Sequence, residues 1–254
     1  MISDPTKRFS SRVNDYLLYR PGYPPEIIGF LEKNCRLTSS SIIADIGSGT
    51  GKAAELFLEN GNTVFGVEPN DEMRHAAENL FRNHSQFISV NGTAEKSTLP
   101  SDSINQIIVG QAFHWFDYTK AKIEFNRILK PGGYVILIWN ERPVNQVGFM
   151  GDYDLFLMDY SIDYKEIDHR NVNEEILSAF FTPNNYALEE FEYHQVFDFT
   201  GLKGRYDSAS YAIPADAKGY DVAIAALHGI FEKYQVDEKV VMKYVTKLYW
   251  GKIN

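Results

Sequence analysis

The amino-acid sequence predicts an α/β fold in which a mostly parallel sheet carries helices on both faces. Two observations make the prediction: short apolar runs recur at intervals of roughly 20 to 30 residues, and segments with helical spacing separate them. A third narrows it, because the first run ends in a glycine-rich turn that opens a helix.

Phe9 to Leu31 carries apolar and aromatic residues at mixed helical spacing, broken by Pro21-Gly22-Tyr23-Pro24-Pro25, which predicts two helices joined by a turn and packed on the sheet. Ser41 to Ile46 is the first strand, and Ala53 to Glu59 the helix beyond the glycine turn. Thr63 to Val67 follows as a strand, then a helix from Glu72 to Phe81 with Asn70 or Asp71 as its N-cap. Gln86 to Val90 and Ile104 to Gly110 read as strands, Lys120 to Leu129 as a helix and Tyr134 to Trp139 as the fifth strand. Right-handed crossovers between parallel strands place the helices on both faces.

After Trp139 the pattern changes. Residues 141–186 are rich in Asp, Asn, Tyr and Phe, with helices expected near Asp152 to Tyr160 and Val172 to Phe181, and they read as an inserted cap. A strand near Glu190 to Phe199, a helix from about Asp216 to Tyr234 and a strand from Val241 to Trp250 complete the sheet. Without an internal repeat or a low-complexity linker, this is one domain: N-terminal helices in 1–36, a core in 40–140, a cap in 141–188 and the rest of the core in 189–254.

Composition sets the class and excludes partners. A chain of 254 residues with 44% hydrophobic and 23% charged residues has the make-up of a soluble globular domain. Its net charge of -9 repels phosphate backbones and anionic membrane surfaces, so neither nucleic acid nor membrane is expected as a partner. Cys35 is the single cysteine, which excludes an intrachain disulfide, and the six histidines show no zinc-like spacing, so no metal is expected. No apolar run approaches the ~18 residues of a membrane span, and the N-terminus lacks a leader pattern, so the expected location is cytoplasmic.

The informative stretch is Ile42-Ile43-Ala44-Asp45-Ile46-Gly47-Ser48-Gly49-Thr50-Gly51-Lys52. Glycines let the backbone turn sharply and approach a ligand, and the free amides at the following helix N-terminus offer it hydrogen bonds. Glu68 closes the second strand beside this turn, at the carboxyl edge of the sheet. A dinucleotide site has the frame G-x-G-x-x-G, but the third glycine position here holds Lys52. Asp45 would repel a pyrophosphate, whereas it favours the ammonium group of an amino acid.

Asp45 to Gly51, Glu68 and Leu129-Lys130-Pro131-Gly132-Gly133 resemble the class I S-adenosylmethionine (SAM) dependent methyltransferases over about residues 40 to 140. The resemblance implies a Rossmann-like, mostly parallel seven-stranded sheet with SAM as cofactor and a small-molecule methyl acceptor. Tyr16-Leu17-Leu18-Tyr19-Arg20-Pro21-Gly22-Tyr23-Pro24 and Gln111-Ala112-Phe113-His114-Trp115-Phe116 are similar to a group of small-molecule methyltransferase-like proteins that includes relatives of trans-aconitate methyltransferase. By that resemblance Asp45, Gly47, Ser48, Gly49 and Gly51 hold the methionine part of SAM, Glu68 the ribose, and Pro69 and Met73 border the adenine. Ala94 and Glu95 face the adenine edge, beside Thr93, which stands where many relatives carry an acid. Gln111 and Ala112 line the path from sulfur to acceptor, followed by His114 and Trp115.

Several residues stay open to two readings. His114 is either a general base or a structural ring. Phe113, Trp115 and Tyr19 either enclose a sulfonium or fill core space, and Tyr16, beside Arg20, is a further substrate or cap candidate. Arg20 binds a carboxylate of SAM or acceptor, or forms a surface ion pair, and Arg142 is the second candidate to orient a carboxylate acceptor. The acidic stretch from Asp152 to Asp168 is a solvated face or a recognition surface for a basic acceptor. A non-catalytic SAM-binding module and an NAD-dependent oxidoreductase are the competing functions.

Overall fold

The computed structural model describes residues 17–143, 146–162, 164 and 172–253. Its first described helical residues are Leu17 to Tyr19, so the N-terminal helix expected from Phe9 falls largely outside the described residues, Tyr16 included. Helix α1 (Glu26–Cys35) runs past the expected Leu31 and stops where Arg36 turns left-handed, φ 56°.

The central elements follow as β1 (Ile42–Ile46), α2 (Lys52–Glu59), β2 (Thr63–Val67), α3 (Asp71–Leu80), β3 (Phe87–Val90), β4 (Ile104–Gly110), α4 (Tyr118–Ile128) and β5 (Leu129–Glu141). A single 3-10 turn, Phe113–Trp115, precedes α4. The helix starts have local causes: Asn70 accepts the Met73 amide at α3, and Asp117 accepts the Lys120 amide at α4. β5 begins five residues before the expected Tyr134, because its pairing with β4 steps from Leu129 to Tyr134 across the Pro131-Gly132-Gly133 turn.

The second half contributes α5 (Phe149–Asp159), α6 (Glu174–Phe181), β6 (Tyr186–Phe197), α7 (Phe199–Asp207), α8 (Tyr220–Tyr234) and β7 (Val240–Gly251). The sheet has seven strands in the order β3-β2-β1-β4-β5-β7-β6. The first five pair in parallel; β7 runs antiparallel to both β5 and β6.

Alternation along β5 explains the layering. Val135, Leu137 and Trp139 enter one buried cluster, while Ile136 and Ile138 enter another on the opposite face. The first face is covered by α4 and α6 through Phe125 and Phe180; the second by α1 and α2 through Ile27, Leu31 and Phe57.

A third cluster differs from the expected cap. It joins Tyr153, Phe156 and Leu157 of α5 to Leu202 and Tyr206 of α7 and Leu227 and Phe231 of α8. The extra layer therefore draws on 199–234 as well as on the insertion, while α6, expected within the cap, buries Leu177, Phe180 and Phe181 against the sheet. Helix α7 was not expected, since Gly201 and Gly204 lower its propensity. It forms because Asp198 accepts the Gly201 amide and because Leu202 and Tyr206 are fully buried. No helix among the described residues is long and apolar enough to cross a membrane.

Candidate functional site

Strand β1 lies between β2 and β4, so the connections leaving the carboxyl ends of β1 and β4 diverge and open a crevice. Asp45, next to last in β1, is 1% exposed. Its Oδ2 accepts the Ala54 amide of α2 at 3.1 Å, whereas the buried Oδ1 has no partner among the described residues. Burial pushes the Asp45 carboxyl up to about 7; the Ala54 amide opposes the rise and the charge of Glu68 adds to it.

The turn after β1 is pinned from behind. Gly47 and Ser48 amides both donate to the Val67 carbonyl, at 2.8 and 3.2 Å. Gly47 has φ +70°, and a Cβ there would lie 2.7 Å from Cβ of Ala112, so the position requires glycine. Glu68 accepts the Gly49 amide through Oε2 and the Asn70 amide through Oε1, each at 2.9 Å. That carboxylate fastens the turn to the start of α3. Burial raises it above the ordinary glutamate value, against the lowering effect of the two amides and of Arg74.

At the end of β4, Gln111 adopts φ +58°, uncommon for a residue with a side chain and a mark of functional sites. Its amide donates to the Ile138 carbonyl at 2.9 Å. Asn140, at the end of β5, donates through Nδ2 to the Gly22 carbonyl at 2.8 Å and accepts from Thr246 Oγ1 at 2.6 Å. This holds the Pro21-Gly22-Tyr23 segment beside the strand ends, and Arg20 Nη2 donates to the Ser208 carbonyl beyond α7 at 2.9 Å.

These elements surround a cavity of about 470 Å³. Of the residues expected from sequence, it brings together Asp45, Gly47, Ser48, Gln111, His114, Trp115, Arg20 and Arg142. Gly49, Gly51 and Glu68 form the back of the turn, and Pro69, Met73, Thr93, Ala94, Glu95 and Ala112 lie outside the cavity wall. Met73 and Ala94 are buried, Thr93 pairs with Lys96, and Glu95 Oε1 accepts the Asp117 amide at 2.9 Å.

Two expected cavity residues are corrected. Phe113 is fully buried, stacked 4.7 Å from Tyr118 and edge-on to Trp139 and Phe180, because the 3-10 turn directs it into the sheet cluster while His114 and Trp115 reach the cavity. Tyr19 lies against Gly204 of α7, where a Cβ would collide with its ring, and does not line the cavity.

Sequence reasoning missed Tyr164, Arg205, Tyr211 and Tyr244, all on the wall. Helical spacing held one clue: Arg205 follows Gly201 by four residues and Leu202 by three, which places it on the buried face of α7. Arg205 is 4% exposed, its Nε donates to Tyr244 Oη at 3.2 Å, and its buried Nη1 has no partner among the described residues. Arg142 donates to Tyr164 Oη at 2.7 Å, lies 3.9 Å from Asp154 Oδ1 and stands over the Tyr153 ring at 5.6 Å. Burial pushes the Tyr211 phenol up, but Arg142, Arg205 and Arg20 together outweigh it and bring the group down to about 8.

Residues 44–137 match the model of a family described as a methyltransferase domain. An uncharacterized methyltransferase of Mycobacterium tuberculosis is 36% identical over 139 residues, covering 55% of this chain and 54% of the relative. One from Schizosaccharomyces pombe is 31% identical over 137 residues, covering 54% and 53%. The chain thus spans about half the length of these curated relatives. A structure from Anaeromyxobacter dehalogenans, provisionally called a type II methyltransferase, superposes with a TM-score of 0.68 over 92% of this chain and 98% of its own, at 18% identity; at that identity the likeness shows the fold.

Proposed function

We propose, from the premise that this chain belongs to the class I SAM-dependent methyltransferase family, that it transfers the methyl group of SAM to a small-molecule acceptor whose accepting group is a carboxylate. The observation that carries this reading is one cavity whose wall holds both a buried carboxylate oxygen without a partner among the described residues, Asp45 Oδ1, and the guanidiniums of Arg20 and Arg142.

The residues present fit the cofactor. A buried acidic oxygen without a donor among the described residues is matched by an amino acid's ammonium group, which would also favour the ionised form of Asp45. The Gly47 to Gly51 backbone leaves no room for side chains at Gly47 or Gly51, the latter facing the Phe81 ring, so the turn can approach a ligand closely. Glu68 braces the turn and retains lone pairs for ribose hydroxyls beyond the two amides it already accepts.

Bound SAM supplies a methyl group activated by its sulfonium. The chain's own work is to align the acceptor and exclude water. A carboxylate attacks without losing a proton, so the residues near it need only attract and orient it, as Arg20 and Arg142 do electrostatically. His114, on the wall near Gln111, supports a second reading in which a hydroxyl acceptor passes its proton to the imidazole.

Calorimetric titration with S-adenosylhomocysteine, using NADH as the comparison ligand, tests the cofactor; turnover of SAM with a panel of carboxylic acids then tests the acceptor. Binding of the homocysteine product alone is expected. Binding of NADH alone would overturn the assignment, and turnover restricted to hydroxyl compounds would replace the carboxylate with the His114 reading.

A further inference from the structure

The turn that carries His114 and Trp115 is fastened at both ends. At its start Phe113 is fully buried against Tyr118, Trp139 and Phe180. At its far end the Asp117 amide donates to Glu95 Oε1 at 2.9 Å, a bond that spans 22 residues of sequence. Between the two fastenings His114 and Trp115 line the cavity. Phe116 lies on the glycine turn, where a Cβ at Gly47 would stand 3.3 Å from its Cζ.

The loop that supplies Glu95 is itself braced. Thr93 and Lys96 exchange backbone hydrogen bonds at 3.1 and 3.2 Å, which closes residues 93–96 into a tight turn. The next residue, Ser97, donates through N and Oγ to Glu124 of α4 at 2.8 and 2.6 Å. The loop after β3 is thus bound to the body of α4, and Glu95 binds the residue that caps the start of the same helix. Asp117 Oδ1 accepts the Lys120 amide at 3.1 Å, and Lys120 Nζ pairs with Asp117 Oδ2 at 2.9 Å. The lysine offsets the repulsion between two carboxylates: Asp117 holds its ammonium above the ordinary lysine range, and Glu95 adds to the rise. A turn fixed only at Phe113 can pivot about that ring. The second fastening, at Asp117, decides how Trp115 faces the cavity and how closely Phe116 covers Gly47.

We propose that Glu95 is a positioning residue for methyl transfer: its carboxylate holds the 113–117 turn so that Phe116 closes on the glycine turn of the cofactor site while His114 and Trp115 keep their places on the cavity wall. This rests on the methyl-transfer reading above. Oε1 alone makes the bond to Asp117, so the role is additional to the place at the adenine edge that the family resemblance implies for Glu95.

The test compares the full chain with Glu95→Ala and Glu95→Gln, because glutamine keeps a carbonyl acceptor for the Asp117 amide and alanine does not. In the ligand-free protein, hydrogen exchange at the Asp117 amide is expected to be about tenfold faster in Glu95→Ala than in wild type, and within about threefold of wild type in Glu95→Gln. Exchange at the core amides of β1 and β4 stays unchanged in both variants, which excludes general damage. Calorimetric affinity for S-adenosylhomocysteine is expected to fall about three- to tenfold in Glu95→Ala and to return to within about twofold of wild type in Glu95→Gln. Unchanged exchange at Asp117 in Glu95→Ala would overturn the proposal. So would unchanged affinity despite faster exchange, or equal loss of affinity in both variants, which would give the charge of Glu95 a direct part in binding instead. Failure of S-adenosylhomocysteine to bind the wild type would overturn the cofactor reading, while the exchange comparison would still report whether Glu95 fixes the turn.

Discussion

Asp45→Asn separates the demands of folding from those of ligand binding. In the wild type the folded carboxyl sits at about 7 against an ordinary value of 3.8, chiefly through burial. Well below pH 3.8 both folded and unfolded chains hold the proton and Asp45 contributes no penalty. As pH rises toward 7 the unfolded chain releases its proton first, so folding loses stability, to a limit of about 4 kcal/mol above pH 7 at ~1.4 kcal/mol per unit. Asparagine removes this titration and keeps an oxygen for the Ala54 amide, but buries an NH2 group where Oδ1 has no partner among the described residues, costing about 1–3 kcal/mol. The variant should therefore gain on the wild type by about 2–3 kcal/mol between pH 5 and pH 8.5, or roughly 5–10 °C in relative Tm. Thermal unfolding of the ligand-free protein at both pH values measures it. The same Asn-to-Asp difference at pH 5 and 8.5 would refute the reasoning. In parallel the variant should lose S-adenosylhomocysteine affinity by about tenfold or more, since the ammonium loses a charged partner.

Glu68→Ala leaves the Gly49 and Asn70 amides without their acceptors and should weaken S-adenosylhomocysteine binding more than about tenfold; unchanged affinity by calorimetry would remove Glu68 from the site. Gly47→Ala forces a Cβ onto Ala112 at φ +70° and should cost about 1–3 kcal/mol in urea unfolding along with ligand binding; a variant as stable as wild type would mean that the turn is not constrained. Glu124 accepts from Arg127 Nε and Nη2 and from Ser97 N and Oγ, and the Arg127 bond leads the causes that lower its carboxyl to about 2. Glu124→Gln should destabilise the protein by about 1–3 kcal/mol at pH 7. The gap should close as pH falls from 4.5 through about 2, where the wild-type carboxylate is itself protonated. A gap independent of pH would show that charge has no part in it.

The regular α/β half was legible because its signals are local. Short apolar runs mark β1, β2 and β4 to within a residue, Asn70 caps α3 through its own neighbours, and Gly47, Gly49 and Gly51 announce a turn by the absence of side chains. The acid in β1 and the acid after β2 could be paired from sequence because a βαβ unit has one handedness. What Glu68 does there, accepting two amides from behind the turn, depends on side-chain placement that spacing does not specify. Phe113 and Trp115 are indistinguishable as aromatics in a row; only the 3-10 turn sends one into the core and the other to the cavity. Helix α7 had weak propensity and was decided by burial against α5 and α8, neither of which its own local sequence contains. Arg205 and Tyr211 reach the same cavity as Asp45 although more than 150 residues separate them in sequence. Local periodicity reports which face of an element is buried; which elements share a cavity is decided by packing across the sheet, where free energy depends on contacts that no short window of sequence contains.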